Sequence, residues 1–148
     1  QALTLFEAAF KAKISPNLIS YSAAISACEK GGQWQQALTL FEELPRARIS
    51  PDVIIFNAAI SASEKGGQWQ QALILLKAMP KAKISPDVIS YCATISASEK
   101  GGQWQQALAL LQAMPKAKIS PHVISYSAAI SACEKAGQWP QALILLKA

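Results

Sequence analysis

VIIFNAAISASEKGGQWQQALILLKAMPKAKISPD, residues 53–87, runs directly into VISYCATISASEKGGQWQQALALLQAMPKAKISPH, residues 88–122, and the two strings differ at only seven of 35 positions. The same pattern recurs on both sides of this pair. Tryptophans stand at Trp34, Trp69, Trp104 and Trp139 and prolines at Pro16, Pro51, Pro86 and Pro121, each 35 residues from the next. Self-similarity at a fixed period of this length marks a solenoid, in which each unit is too small to bury its own apolar face and stacks on its neighbours. The 148 residues are read as one repeat array: a partial unit 1–17, full units 18–52, 53–87 and 88–122, and a partial unit 123–148.

Within a unit, Tyr21, Ala24, Ile25 and Cys28 follow the i, i+3, i+4, i+7 spacing of a helical face, which predicts a first helix with Ser20 as its N-cap. Gly31 and Gly32 are expected to form the left-handed cap and tight turn. Trp34, Ala37, Leu38, Phe41 and Leu44 then make a second apolar stripe, which places the tryptophans in the core rather than on a stacking platform. Pro45, Pro80 and Pro115 are expected to end the second helix, because proline disfavours helical geometry in the residue before it and lacks an N–H. Pro140 falls in a first turn, where proline is tolerated. The expected fold class is all-α: about nine helices in antiparallel pairs, an α-solenoid winding into a right-handed superhelix with first helices on the concave face and second helices on the convex face. Both chain ends fall in mid-helix of this pattern, so the segment reads as the ordered part of something longer.

The composition leaves little material for catalysis. One histidine, His122, and nine scattered acids offer no acid/base constellation and no metal site, so no catalytic residue, metal or cofactor is assigned. Cys28, Cys92 and Cys133 form no C-x-x-C pair and are odd in number, which reads as small core residues in a reducing compartment. Lysine or glutamate interrupts every apolar run, so no transmembrane segment is expected. A net charge of +5 and a pI near 9.2 favour an acidic partner such as nucleic acid.

A helical pair that opens V-I-S-Y, contains E-K-G-G, continues Q-A-L-x-L and closes I-S-P-D every 35 residues resembles the pentatricopeptide repeat over the whole chain. The tetratricopeptide repeat has a period of about 34 and a W-x-x-L-G-x-x-Y pattern that no unit shows. Two departures touch the turn between repeats: the family usually has glycine where Arg48, Lys83 and Lys118 stand, and lysine or glutamate where Pro45, Pro80 and Pro115 stand.

The resemblance implies an organellar factor, in a chloroplast or mitochondrion, that binds single-stranded RNA for its maturation, stability or translation. Each repeat would take one nucleotide and read its base with two side chains. By the family's pattern the readers are the fifth residue of a unit, here Ser22, Asn57, Cys92 and Ser127, and the last residue, here Asn17, Asp52, Asp87 and His122. The second residue, here Ile19, Ile54, Ile89 and Ile124, would wedge against the base, and Lys30, Lys65, Lys100 and Lys135 would approach the phosphates. The family's code assigns guanine to Ser22 with Asp52 and uracil to Asn57 with Asp87. Each role has a plainer counterpart: an acid at a helix N-terminus and a lysine at a C-terminus both complement the helix dipole without any ligand. Lys81, Lys83, Lys116 and Lys118 read as a solvated edge. Some relatives carry a zinc deaminase domain, whose H-x-E and C-x-x-C signatures are missing here. The alternative function is a non-catalytic scaffold that grips a protein partner within a larger organellar assembly, such as a ribosome or a membrane complex.

Overall fold

Each unit of the computed structural model, which describes residues 17–147, folds as a pair of helices. The first helices are α1 (Leu18–Lys30), α3 (Val53–Lys65), α5 (Val88–Lys100) and α7 (Val123–Lys135). The second helices are α2 (Trp34–Glu43), α4 (Trp69–Lys81), α6 (Trp104–Lys116) and α8 (Trp139–Lys147). No strand occurs among the described residues. The ninth helix, expected ahead of α1, lies outside them.

The first helices start earlier than the pattern predicts. Asn17, Asp52 and Asp87 are the N-caps, their side-chain oxygens accepting the N–H of Ser20 at 2.9 Å, Ile55 at 2.9 Å and Ser90 at 3.0 Å. His122 does the same with Nδ1, which accepts from Ile124 N–H at 3.2 Å. Ser20 therefore sits at the third helical position, where its amide is the one being capped.

The two glycines of each turn do different work. Gly102 takes φ of +70°, the left-handed conformation that glycine adopts without a Cβ penalty. Gly101 has φ of −85° and is needed for space: a Cβ there would lie 2.3 Å from Cδ1 of Trp69. Gly66 stands over Trp34 in the same way, with Cγ at 2.4 Å from the Cβ position. Trp34 and Trp69 are thus seated under the turn of the next pair, partly buried against the core rather than enclosed by their own units.

Pro45 follows the end of its second helix as expected, but Pro80 and Pro115 do not stop theirs. α4 runs through Pro80 to Lys81 and α6 through Pro115 to Lys116; only α2 ends ahead of its proline, at Glu43. Proline in a last turn forfeits one amide bond, whereas unwinding the residue before it would expose Met79 or Met114, both fully covered. The true stop is the residue three further on. Lys83 and Lys118 have φ of 62° and Arg48 has φ of 58°, and the chain reverses there with Ile84 N–H donating to Met79 O and Lys83 N–H to Pro80 O, both at 2.9 Å. This is a left-handed helix cap built on residues that carry side chains.

Packing makes two unequal layers. Successive first helices touch one another, whereas second helices touch their own partner and the following first helix but not each other. The first helices therefore form the tight inner row and the second helices splay outside it. Ile25, Ile60 and Ile95 along the inner row and Ala37, Ala72 and Ala107 on the second helices are completely covered. Each buried isoleucine contributes roughly 1.5–3 kcal/mol, and the alanines let the helices approach closely. Phe41 and Phe56 meet edge to face across the boundary between units, with ring centroids 5.0 Å apart. The buried hydroxyls of Ser63, Thr94 and Ser98 are satisfied by carbonyls four residues back, so the polar residues in the layer cost no unmet hydrogen bond.

Candidate functional site

Along the inner row the second residue of every first helix is an exposed isoleucine: Ile19 is 77% exposed, Ile54 60%, Ile89 59% and Ile124 56%. A single exposed isoleucine is unremarkable, but one per repeat on one face makes an apolar stripe. Three residues further along each helix stands the fifth residue, and at Asn57 the N-cap of the following helix, Asp87, stands beside it.

The best-formed group is Asn57, Asp87 and Ser90. Asn57 Nδ2 donates to Asp87 Oδ1 at 3.1 Å across the gap between α3 and α5. The Ser90 hydroxyl accepts from Asp87 N–H at 3.1 Å and donates to Asn57 Oδ1. Burial alone would raise the pKa of Asp87, but the bonds from Ser90, Asn57 and the Ile89 amide outweigh it and hold the carboxyl below its ordinary value. An asparagine amide has two N–H groups and two lone pairs. One of each is engaged, so the amide is held in one orientation with one donor and one acceptor in hand.

Among the described residues no hydrogen bond of this kind joins another fifth residue to a last one. Ser22 has no hydrogen-bond partner among the described residues, and the third residue of α3, at the position Ser90 holds in α5, is Ile55, fully buried. Cys92 lies near Ser125, the third residue of α7; burial, with the charge of Asp87 adding to it, raises the thiol pKa against the influence of Ser125. His122 closes the cap of α7, its N–H donating to Ser125 Oγ at 2.8 Å. Cys92, His122, Ile89 and Ile124 line one open cleft of about 470 Å³ together with Ser96 and Glu64. A second, of about 350 Å³, holds Ser127 between Ile124 and Glu99. Asn17 caps α1 and lies at the edge of the described residues.

The residue that sequence reasoning missed is the third of each first helix. Ser90 bridges Asn57 and Asp87, and Ser125 takes the same place beside Cys92. A signal was present: Ile55 against Ser90 is one of the seven differences between units two and three.

The recurring lysines are already partnered. Lys65 pairs with Glu29 at 2.8 Å, Lys100 with Glu64 at 2.7 Å and Lys135 with Glu99 at 2.5 Å. Each reaches back one repeat, so the pairs form a ladder along the inner row; Lys30 has no such partner among the described residues. Ser61 and Ser131 donate to the same carboxylates, at 2.7 and 2.8 Å. Burial would raise the pKa of Glu29 and Glu99, but the lysine and serine bonds and the lysine charge outweigh it and lower both. Among the described residues no group of histidine, cysteine and acid side chains could hold a metal ion, and no helix is long and apolar enough to cross a membrane.

Comparison with known proteins agrees with this architecture. The sequence profile of the PPR repeat family matches residues 51–100, and that of the PPR repeat matches residues 19–49 and 124–148. No curated protein sequence matches the chain. Among solved structures, the maize pentatricopeptide repeat protein PPR10 superposes with a TM-score of 0.86 at 22% identity, over 96% of this chain and 20% of that one. The PPR domain of Arabidopsis thaliana protein-only RNase P 1, in complex with tRNA, superposes with a TM-score of 0.87 at 15% identity, over 99% of this chain and 77% of that one. PPR10 in complex with an 18-nt psaJ RNA element gives a TM-score of 0.75 at 26% identity, over 88% of this chain and 19% of that one. The chain spans about a fifth of the length of PPR10.

Proposed function

Because the chain belongs to the pentatricopeptide repeat family, we propose that it is a non-catalytic module that binds single-stranded RNA and selects bases one repeat at a time. The observation that carries this reading is the Asn57–Asp87–Ser90 group set between the exposed Ile54 and Ile89. A base entering between two apolar side chains loses water from its faces and turns its edge to the amide. The remaining N–H and lone pair of Asn57 then meet the O4 acceptor and N3–H donor of uracil. The two similar structures with bound RNA support the same class of ligand.

By the family's code Ser22 with Asp52 suits guanine, the short hydroxyl leaving room for a purine, so the two adjacent repeats favour a 5′-GU-3′ step. The Cys92 and His122 cleft discriminates weakly, since a neutral thiol is a poor hydrogen-bonding group. Ser127 and Asn17 extend the row at its two ends. The setting we propose is a chloroplast or mitochondrion, in RNA maturation, stability or translation.

Anisotropy titrations with four short RNAs that differ only at the second base of the step test the reading. Uracil is expected to bind best, and Asn57→Ser to move the preference towards a purine. Equal affinity for all four in both proteins overturns base reading. No binding even at low salt overturns the RNA reading and passes the case to a protein partner.

A further inference from the structure

An asparagine does not separate uracil from cytosine by shape. Uracil offers its O4 acceptor and N3–H donor where cytosine offers an N4–H donor and an N3 acceptor, the same edge with the two roles exchanged. Half a turn of the Asn57 amide exchanges Oδ1 with Nδ2 at almost no change in outline, and the turned amide would match cytosine. Discrimination between the two pyrimidines at this repeat therefore depends on what holds the amide.

Two groups hold it. Asp87 Oδ1 accepts from Asn57 Nδ2 at 3.1 Å, and the Ser90 hydroxyl donates to Asn57 Oδ1. That hydroxyl has one proton to give. Asp87 Oδ1 lies within its reach as well, at 3.0 Å, but already takes the Ser90 N–H and the Asn57 side chain. A turned amide would set Oδ1 against the carboxylate, acceptor to acceptor, and send the hydroxyl proton back to that crowded oxygen. Ser90 is completely buried whereas Asn57 is half-buried, so the hydroxyl acts on a base only through the amide.

The same place is filled differently along the array. The third residue of the following first helix is Ile55 after the Ser22 repeat, Ser90 after the Asn57 repeat and Ser125 after the Cys92 repeat. Ile55 is fully buried and has no hydrogen-bonding side chain. Ser125 is also fully buried, but its hydroxyl donates to the His122 backbone carbonyl at 2.6 Å, and the thiol of Cys92 is a weak acceptor. Of the three places, only the one at Ser90 has both a hydroxyl and an amide for it to hold.

We propose that the third residue of the following first helix is a third specificity position of each repeat, and that Ser90 is the positioning residue through which the Asn57 repeat takes uracil and rejects cytosine. This inference rests on the RNA reading above. The fifth and last residues supply the hydrogen-bonding groups, and the third fixes the order in which they face the base. An Asn–Asp pair followed by isoleucine holds its amide on one side alone and separates the two pyrimidines less sharply.

Anisotropy titrations with short RNAs that carry each of the four bases at one position test it. Ser90→Ala should narrow the ratio of uracil to cytosine affinity at the Asn57 repeat by about two- to tenfold, the net contribution of one hydrogen bond. Ser90→Thr keeps the hydroxyl and should restore the ratio. The Ser90 hydroxyl also accepts the Asp87 N–H, and loss of that bond alone lowers the melting temperature without moving the ratio. A second comparison leaves every buried third residue in place. Ser22→Asn builds the Asn–Asp pair ahead of Ile55, and Cys92→Asn with His122→Asp builds it ahead of Ser125. Both repeats should turn to pyrimidines, with the sharper preference for uracil ahead of Ser125, and this comparison decides the matter if Ser90→Ala does not fold. Equal ratios at the two new sites, or an unchanged ratio in a folded Ser90→Ala protein, overturn the proposal while leaving base reading standing. A parent protein that binds RNA without separating uracil from cytosine overturns it too. If the parent binds no RNA at any salt, the function proposed above fails, and this inference with it.

Discussion

The interior second helix α4 and the last described one, α8, share most of their sequence and none of their burial. Five residues of α4 are buried, Ala72, Leu73, Leu75, Leu76 and Met79, and none of α8 is. Trp69 is seated under Gly101, whereas Trp139, in the same place of its repeat, is 68% exposed, and Leu146 and Leu143 are exposed where their counterparts Leu76 and Leu73 are buried. The difference lies in the neighbouring pair. A second helix is covered on one side by its own first helix and on the other by the next first helix, and no further pair stands beyond α8 among the described residues. Stability in such an array resides at boundaries between units more than within them.

The largest expected effect sharpens that contrast. Trp69→Ala should cost about 3 kcal/mol, the low end for a truncated core aromatic because the indole is only partly covered. Trp139→Ala should stay within about 0.5 kcal/mol, as for an exposed site. Denaturant midpoints of the two variants decide it, and equal losses would show that the outer row is held by something other than the next pair.

Next comes the turn above the indole. Gly101→Ala puts a methyl into the space of Trp69 and should destabilise by about 1–3 kcal/mol, as overpacking does. The last turn carries Ala136 in the corresponding place, so an unchanged midpoint would mean that the indole swings aside at little cost. A smaller effect, of opposite sign, belongs to the link between pairs. Lys83→Gly should stabilise by about 0.5–1 kcal/mol, because relief of the left-handed strain exceeds the extra entropy of glycine in the unfolded chain. A lower melting temperature would show that the lysine stem contributes packing there.

The smallest expected effect concerns acid. The folded pKa values of Glu29, Glu99 and Asp87 are lowered, so in each case the unfolded state binds its proton first as pH falls. Their contribution is complete above the ordinary carboxylate range, near pH 4, and is lost as pH drops through the folded values. The lysine partners are about half exposed, with side chains 44% to 59% accessible, so each rung is worth less than about 1 kcal/mol. Melting curves from pH 6 to pH 3 should show the decline only at the acid end, and Glu99→Gln should flatten it. A decline already present at pH 6 would assign it to other groups.

Much of this was legible in the sequence. The period of 35 residues, the two helices per unit and the tight turn between them come from recurring residues, because apolar spacing and glycine placement act locally. The proposed reading row was legible only by position. That Asn57 and Asp87 meet, and that Ser90 holds them, depends on two first helices lying side by side, a contact between residues 30 and 33 positions apart that no local pattern specifies.

The sequence by itself determined the repeat and the helices, since propensity, capping and apolar period are properties of a dozen neighbouring residues. Tertiary packing alone decided three other matters. Pro80 and Pro115 stay inside their helices because Met79 and Met114 are held in the core. Gly66 and Gly101, the first glycines of their E-K-G-G turns, answer to an indole from the previous unit, not to their own φ. The inner-row lysines Lys65, Lys100 and Lys135 are paired with glutamates one repeat back. In each case the deciding energy comes from a neighbour about 35 residues away, which a reading of one unit at a time does not contain.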